Sequence, residues 1–250
     1  MLGLHALALV CCGYLDRARS SRDTMLAEAR RLSHAHTLCQ ALWAAWTAGM
    51  FARAEPAELL RYADEALALA TERGFAFWRA WAQMARGWCL AALGDPDEGI
   101  SVLTAGLASL DATGCILGRP TVLMLLAGAY RLAGQPGVGL SHLAEARRLA
   151  ESTQERWVAA EMLRLQGDLL IQTGNHAAAE SSFRDAVALA RRQGGKLWEL
   201  RAATSLARLS AEQGRHAEAR NLLEPIHGWF TGGFDAADIA DARTLLAELR

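Results

Sequence analysis

Apolar and small residues recur along the chain at three- and four-residue steps, the spacing that gathers them on one face of a helix. The stretch from Leu165 to Ala186 shows the pattern in full. Gly167 is small enough for a second helix backbone to come close, and Leu170 follows on the same inward face. Gly174 then ends the helix in a conformation that costs other residues more. Ala179, Phe183 and Ala186 give the next helix one apolar stripe. The stretch predicts two antiparallel helices joined by a tight turn, and such a pair cannot bury both of its faces alone.

The turn glycine recurs as Gly94, Gly134, Gly174 and Gly214, each 40 residues after the last. A small residue stands seven before each one (Gly87, Ala127, Gly167, Ala207) and another five after it (Gly99, Gly139, Ala179, Ala219). Nine after it comes a bulky apolar residue: Leu103, Leu143, Phe183 or Leu223. Carried backwards, the period puts a turn near Ala54, with Pro56 opening the next helix where its missing N–H does no harm, and reaches Gly13, followed by Ala18. Six helix pairs are expected, at 2–32, 35–72, 75–111, 117–151, 154–193 and 196–229. Breakers separate them: Gly74, Gly114, Gly118 with Pro120, Gly194-Gly195, and Gly232-Gly233. Asp235 can cap a final helix at 236–249, whose Ile239, Leu245, Leu246 and Leu249 suit an end cap. No matching cap precedes the first pair. An apolar face left open there would favour self-association through the N-terminal repeat, or an origin in a longer polypeptide. Residues 1–250 thus read as a single all-α solenoid of antiparallel helix pairs.

At these spacings the order of small residue, aromatic or Leu, turn glycine, Ala, bulky apolar and Ala resembles a tetratricopeptide repeat (TPR) array. The likeness is carried by Gly167, Leu170, Gly174, Ala179, Phe183 and Ala186, and by Ala127, Tyr130, Gly134, Leu143 and Ala146. The period departs from the usual unit of about 34 residues, and Arg191 stands where a closing proline is common. Glu155-Arg156-Trp157, the run from Ala160 to Gly167, the run from Arg201 to Leu209, and Trp229 through Asp235 are similar to the C-terminal region of bacterial adenylate/guanylate cyclase-like AAA ATPase signalling proteins. In that group a cyclase-like domain and an ATPase precede the repeats. The resemblance implies a right-handed superhelix with a regulatory or scaffolding role. Neither preceding domain lies within the chain, so neither activity carries over.

Composition agrees with helices: 52% of residues are apolar, 21% charged, and Ala, Leu and Arg dominate. The net charge of −1 and isoelectric point near 6.7 provide no global basic field for nucleic acid or an anionic membrane. Five cysteines, an odd number with two adjacent and no repeated CxxC, read as reduced thiols of a cytoplasmic protein. The run from Leu2 to Cys12 has no preceding Lys or Arg, is interrupted by His5, and falls far short of the ~20 apolar residues of a membrane span. It is expected to be the inward face of a first helix.

Candidate chemistry is sparse. Gly194-Gly195-Lys196 has Ala190 where a phosphate loop needs its first glycine and Leu197 where it needs Ser or Thr. His36 and Cys39 could share a helix face, but His34 points elsewhere and no fourth metal ligand is near. Asp95, Asp97, Glu98, Glu145 and Glu180 fit helix starts or solvated faces. No catalytic residue, cofactor or metal is expected. The candidates are bulky residues that the repeat does not need for its own packing, on the inner faces of the first helices: Phe51, Trp81, Met84, Trp88 and Met124. To these are added Arg131, Arg164, Arg201 and Arg208, since aromatic and arginine side chains most often carry interface energy. The alternative is that the tryptophans fill core between repeats and the arginines pair with Glu161, Glu199 or Glu212. The expected function is a non-enzymatic protein-interaction or regulatory scaffold, binding a protein or peptide segment or the cyclase/ATPase domains of a related polypeptide. A small-molecule-sensing module, with a ligand in the concave groove, is the other expectation.

Overall fold

The computed structural model describes residues 2–250. Six helical hairpins follow one another. They are α1 (Leu2–Cys11) with α2 (Leu15–Leu32), α3 (Ala35–Phe51) with α4 (Pro56–Glu72), and α5 (Ala76–Ala92) with α6 (Pro96–Asp111). Then come α7 (Arg119–Leu132) with α8 (Pro136–Thr153), α9 (Ala159–Gln172) with α10 (His176–Gln193), and α11 (Lys196–Glu212) with α12 (His216–His227). A last helix, α13 (Ala237–Glu248), packs on α11 and α12. The described residues contain no strand, and the fold is an all-α helical-repeat solenoid.

Local chemistry sets the helix ends. Pro56, Pro96 and Pro136 open α4, α6 and α8, and the side chains of Asp95 and Asn175 cap α6 and α10 by accepting from the N–H groups of Glu98 and Ala178. The turns within hairpins are left-handed at Gly94, Gly134, Gly174 and Gly214, with φ from 69° to 105°. In the second hairpin Arg53, not Ala54, takes this conformation (φ 55°), the only turn of the series after Gly13 made without glycine. The links between hairpins have their own left-handed residue at the same period, and at Ser33 and Gln154 it is again not glycine.

Within a hairpin the packing follows the small residues. A Cβ on Gly167 would lie 2.3 Å from the Phe183 ring, so the missing side chain is the space into which that fully buried ring fits. Burying a ring or leucine of this kind contributes roughly 1.5–3 kcal/mol. Each first helix touches the first helix of the next hairpin, whereas no second helix touches another second helix among the described residues. The first helices therefore form the inner layer.

The solenoid also meets itself. α1 touches α11, and Gly13 lies so close to the C-terminal segment that a Cβ there would be 2.9 Å from the Phe230 ring and 3.1 Å from both Lys196 and Trp229. Asp16 accepts the Gly233 N–H at 2.7 Å, Arg19 pairs with Asp235 at 2.9 Å, and the Phe51 ring packs edge-on at 5.1 Å from each of Trp157 and Trp198. The expectation of an uncovered first repeat is thereby corrected for the C-terminal end of α1, while Leu4 near its start stays exposed. The C-terminal end of α1 is covered by α11 and the link before α13, and Ala6, Leu9 and Val10 are buried. The sequence could not announce this, because the covering residues lie more than 180 positions away.

Candidate functional site

The inner layer encloses a groove of about 560 Å³, a volume within the usual range for ligand sites. One wall is apolar: Met50 and Phe51 from α3, Trp88, Ala91 and Ala92 from α5, and Met124, Leu125 and Ala129 from α7. The other is charged, with Glu161, Arg164 and Asp168 from α9, Arg201 and Arg208 from α11, and Asp238 and Asp241 from α13. Arg53 and Arg131 also line it.

Helical periodicity explains which residues reach it. Arg201, Thr204, Ser205 and Arg208 lie three, four and seven residues apart and so share one face of α11. The position six before each turn glycine, occupied by Trp88, Gly128, Asp168 and Arg208, lines the groove in all four repeats. The position thirteen before (Trp81, Thr121, Glu161, Arg201) does so only in the last two, and the position two before (Ala92, Leu132, Gln172, Glu212) only in the first two. The groove crosses the ends of α3 and α5 but the middles of α9 and α11, because successive hairpins of a superhelix are displaced along its axis.

That displacement separates the nine candidates. Phe51, Trp88, Met124, Arg131, Arg164, Arg201 and Arg208 line the groove, whereas Trp81 and Met84 do not. Trp81 is 7% exposed and fills the joint beside Gly118, where a Cβ would lie 2.7 Å from its ring, and it packs edge-on against Trp43. Met84 is wholly buried at the close crossing of α5 and α6, against Gly106. Both are core residues.

The charged wall is a connected network. Arg164 donates to both oxygens of Glu161 at 2.8 and 2.9 Å and to Asp168 at 2.5 Å. Arg201 donates to Asp238 through Nε at 2.9 Å and Nη2 at 2.5 Å, and the same Nη2 donates to the Phe51 carbonyl at 2.6 Å. Its Nη1 reaches Glu161 at 3.4 Å. Arg53 donates to Asp238 at 3.2 Å and to Asp241 at 2.6 Å. Burial raises the Glu161 carboxyl, but the charges of Arg164 and Arg201 outweigh it and hold the group below the ordinary carboxylate range. Asp238 is likewise pushed up by burial and brought below its usual value by Arg201 and then Arg53. Burial works against the Arg164 and Arg201 cations, and the neighbouring carboxylates more than compensate, so both stay charged.

Arg131 and Arg208 stand apart. Neither guanidinium has a hydrogen-bond partner among the described residues, and the Arg131 Nε is buried without one. The expectation that arginines pair with glutamates thus holds for Arg164 and Arg201 with Glu161, but Glu199 is taken by Arg191 and Lys196. Sequence reasoning missed the charged lining residues Arg53, Asp168, Asp238 and Asp241. Asp168 carried a signal, since it shares the register of Trp88 and Arg208; the others reach the groove only because the chain ends meet. Among the described residues no cluster of three His, Cys, Asp or Glu side chains is placed to hold a metal ion, and no helix is long and apolar enough to cross a membrane.

A helical-repeat solenoid with an inner groove is the class these features define. The tetratricopeptide repeat family model matches residues 158–224, which span α9 to α12. No curated protein sequence matches the chain. Among solved structures the chain is similar to NprR in complex with its cognate peptide NprX, with a TM-score of 0.70 at 16% identity over 100% of this chain and 71% of that one. It is also similar to the apo form of the quorum sensor NprR from B. thuringiensis, with a TM-score of 0.61 at 10% identity over 99% and 69% of the two chains. A Signal Transduction ATPase with Numerous Domains (STAND) protein with a tetratricopeptide repeat sensor, from Pyrococcus horikoshii, gives 0.56 at 15% identity over 100% of this chain. This chain spans 38% of the STAND protein's length. At these identities the likeness is one of fold.

Proposed function

We propose that the chain is a regulatory binding module whose inner groove takes a peptide segment and performs no chemistry on it. The carrying observation is the two-sided groove, with an apolar wall of Phe51, Trp88 and Met124 facing a charged wall on α9, α11 and α13. A peptide presents side chains and main-chain polar groups together and matches such a lining. The fold shared with NprR, solved with a cognate peptide, and with the sensor repeats of a STAND protein supports this reading. So do the sequence strings similar to the repeats of cyclase-like AAA ATPases, which favour a cytoplasmic signalling polypeptide in which the groove reports to such domains.

Affinity selection of short random-sequence peptides on the purified chain tests the proposal, with Trp88→Ala as the control. Enrichment that falls by about tenfold in the variant is expected, in line with loss of an aromatic anchor. No enrichment that responds to Trp88→Ala would refute it. The groove volume also suits a small-molecule effector, the second reading, and a metabolite that raises the melting temperature of wild type but not of Trp88→Ala would favour it over the first.

A further inference from the structure

The groove is built from both ends of the chain. Phe51 and Arg53 reach it from the second hairpin, and Arg201, Asp238 and Asp241 from α11 and α13, so its lining crosses the seam where the ends meet. Between α3 and α5 the joint is filled, with the Trp43 ring 5.9 Å from Trp81 and 6.3 Å from Trp78. The seam is not filled. A second cavity of about 390 Å³ lies within it, walled by Val10, Leu15 and Ala18 of the first hairpin, Ala52 and Arg53 after α3, and Ala236 before α13. Phe51 packs against Trp157 and Trp198 across the seam, but the ties around it are polar and reach solvent. Arg19 and Asp235, joined at 2.9 Å, are 50% and 64% exposed, and Arg53 and Asp241, joined at 2.6 Å, are 45% and 44% exposed. Exposed pairs of this kind contribute little to stability. Arg53 lines both cavities and sits in a left-handed conformation (φ 55°) that residues other than glycine rarely adopt.

We infer that the seam opens and closes, and that the groove is complete only when it is closed, so that occupancy of the groove and end-to-end closure are one equilibrium. The inference rests on the peptide reading above and adds the part that moves. In a chain of stacked units each hairpin is held by its neighbours, and the joint with a void and solvent-exposed ties yields first. Opening carries Phe51 and Arg53 away from Arg201, Asp238 and Asp241, which takes the groove apart at one end and leaves every hairpin intact. A ligand that touches both sides binds the closed chain alone and holds it closed. Weakened closure then lowers its affinity in proportion to the fraction of chains still closed. The outer face of the seam carries the signal, because Tyr14 and Trp229, whose rings lie 5.7 Å apart, stand together only in the closed chain.

Gly13→Leu drives a wedge into the seam, since a Cβ there meets Phe230 at 2.9 Å and Lys196 and Trp229 at 3.1 Å. Gly174 is left-handed too, with φ 77° beside 85° for Gly13, but has open space around it, so Gly174→Leu carries the backbone strain without the wedge. Asp16→Ala/Arg19→Ala removes the ties to the Gly233 N–H and to Asp235 and adds no bulk. None of these positions lines the groove. The full chain and its variants are compared by circular dichroism, small-angle X-ray scattering and hydrogen exchange over residues 229–236. Gly13→Leu should keep the wild-type helicity, gain radius of gyration and exchange at least about tenfold faster over that segment, with the double variant in between and Gly174→Leu like wild type. Peptides selected on wild type in a Trp88-dependent way should bind Gly13→Leu at least about tenfold more weakly, and should slow exchange over 229–236 in wild type. If Gly13→Leu loses helicity, the double variant decides by the same measurements. Seam variants as compact and as protected as wild type overturn the opening. An open variant that binds those peptides with wild-type affinity overturns the coupling and leaves peptide binding standing. Absence of any Trp88-dependent peptide removes the peptide reading and the coupling together, while the opening stands or falls by scattering and exchange.

Discussion

Arg201 is the side chain whose loss should reach furthest. Its guanidinium joins Asp238 of α13, the Phe51 carbonyl at the end of α3, and Glu161 of α9, so one residue of α11 ties the second hairpin to α9 and α13. Replacing it with methionine keeps much of the volume and removes every donor. Breaking a buried ion pair by deleting one partner costs about 3–5 kcal/mol when the other charge is left alone. Here the carboxylates are not left alone: Glu161 keeps Arg164 at 2.8 Å, and Asp238, 3% exposed, keeps Arg53 at 3.2 Å. The Phe51 carbonyl loses its side-chain donor as well, and we expect a net cost of about 2–4 kcal/mol. For a chain of this size that is on the order of 5–15 °C in melting temperature.

Two further measurements separate this account from general destabilisation. Hydrogen exchange should quicken first in α1 to α3 and in α13, where the ends meet, because repeat proteins open at their weakest interface before they unfold throughout. The pH dependence should also move. Glu161 and Asp238 have folded-state pKa values below their unfolded ones, so they add stability above the unfolded carboxylate range near pH 4, and that stability is lost as pH falls through the depressed folded values. In Arg201→Met the burial of both groups is less well compensated, their pKa values rise, and the acid unfolding midpoint should move to higher pH. A variant with the wild-type melting temperature and the wild-type acid midpoint would refute this role of Arg201.

Other outcomes follow from close packing and exposure. Gly167→Ala places a methyl into the buried Phe183 ring and should cost about 1–3 kcal/mol in denaturant unfolding, whereas Gly137→Ala, with open space around its Cβ, should be neutral or stabilising by about 0.4–1 kcal/mol. Met84→Ala should cost about 2–5 kcal/mol of stability and leave ligand affinity unchanged, since the side chain is wholly buried outside the groove. Of the adjacent thiols, Cys12 is exposed while burial, helped by Cys12, pushes Cys11 up to about 12. Iodoacetamide at pH 8 should therefore modify Cys12 and spare Cys11, as read by mass spectrometry of the tryptic peptides.

The glycine period made the hairpins legible because it records local necessities: a left-handed turn and a close helix approach each favour one residue type, and both recur wherever the hairpin recurs. Turns made otherwise were harder to see. Arg53 adopts φ 55° without being glycine, and its guanidinium is held by Asp238 and Asp241, so its place is secured by contacts from the far end of the chain. The same distinction governs the groove. Trp88, Arg164 and Arg208 stood out as bulky residues on an inner face, and they line it; Trp81 and Met84 met the same criterion and are core. A single repeat register cannot separate these two sets, because the groove slides from the ends of the early inner helices to the middles of the late ones. The drift is a property of how hairpins stack, set by side chains at each interface between them, such as Trp81 against Gly118. Closure of the chain on itself is the sum of those small rotations, and it brings Asp238 and Asp241 into a groove whose other residues lie on α3 through α11. A repeat sequence thus specifies its unit locally and its binding surface globally. Unit and surface coincide at the position shared by Trp88, Gly128, Asp168 and Arg208, which faces the groove in every one of these repeats.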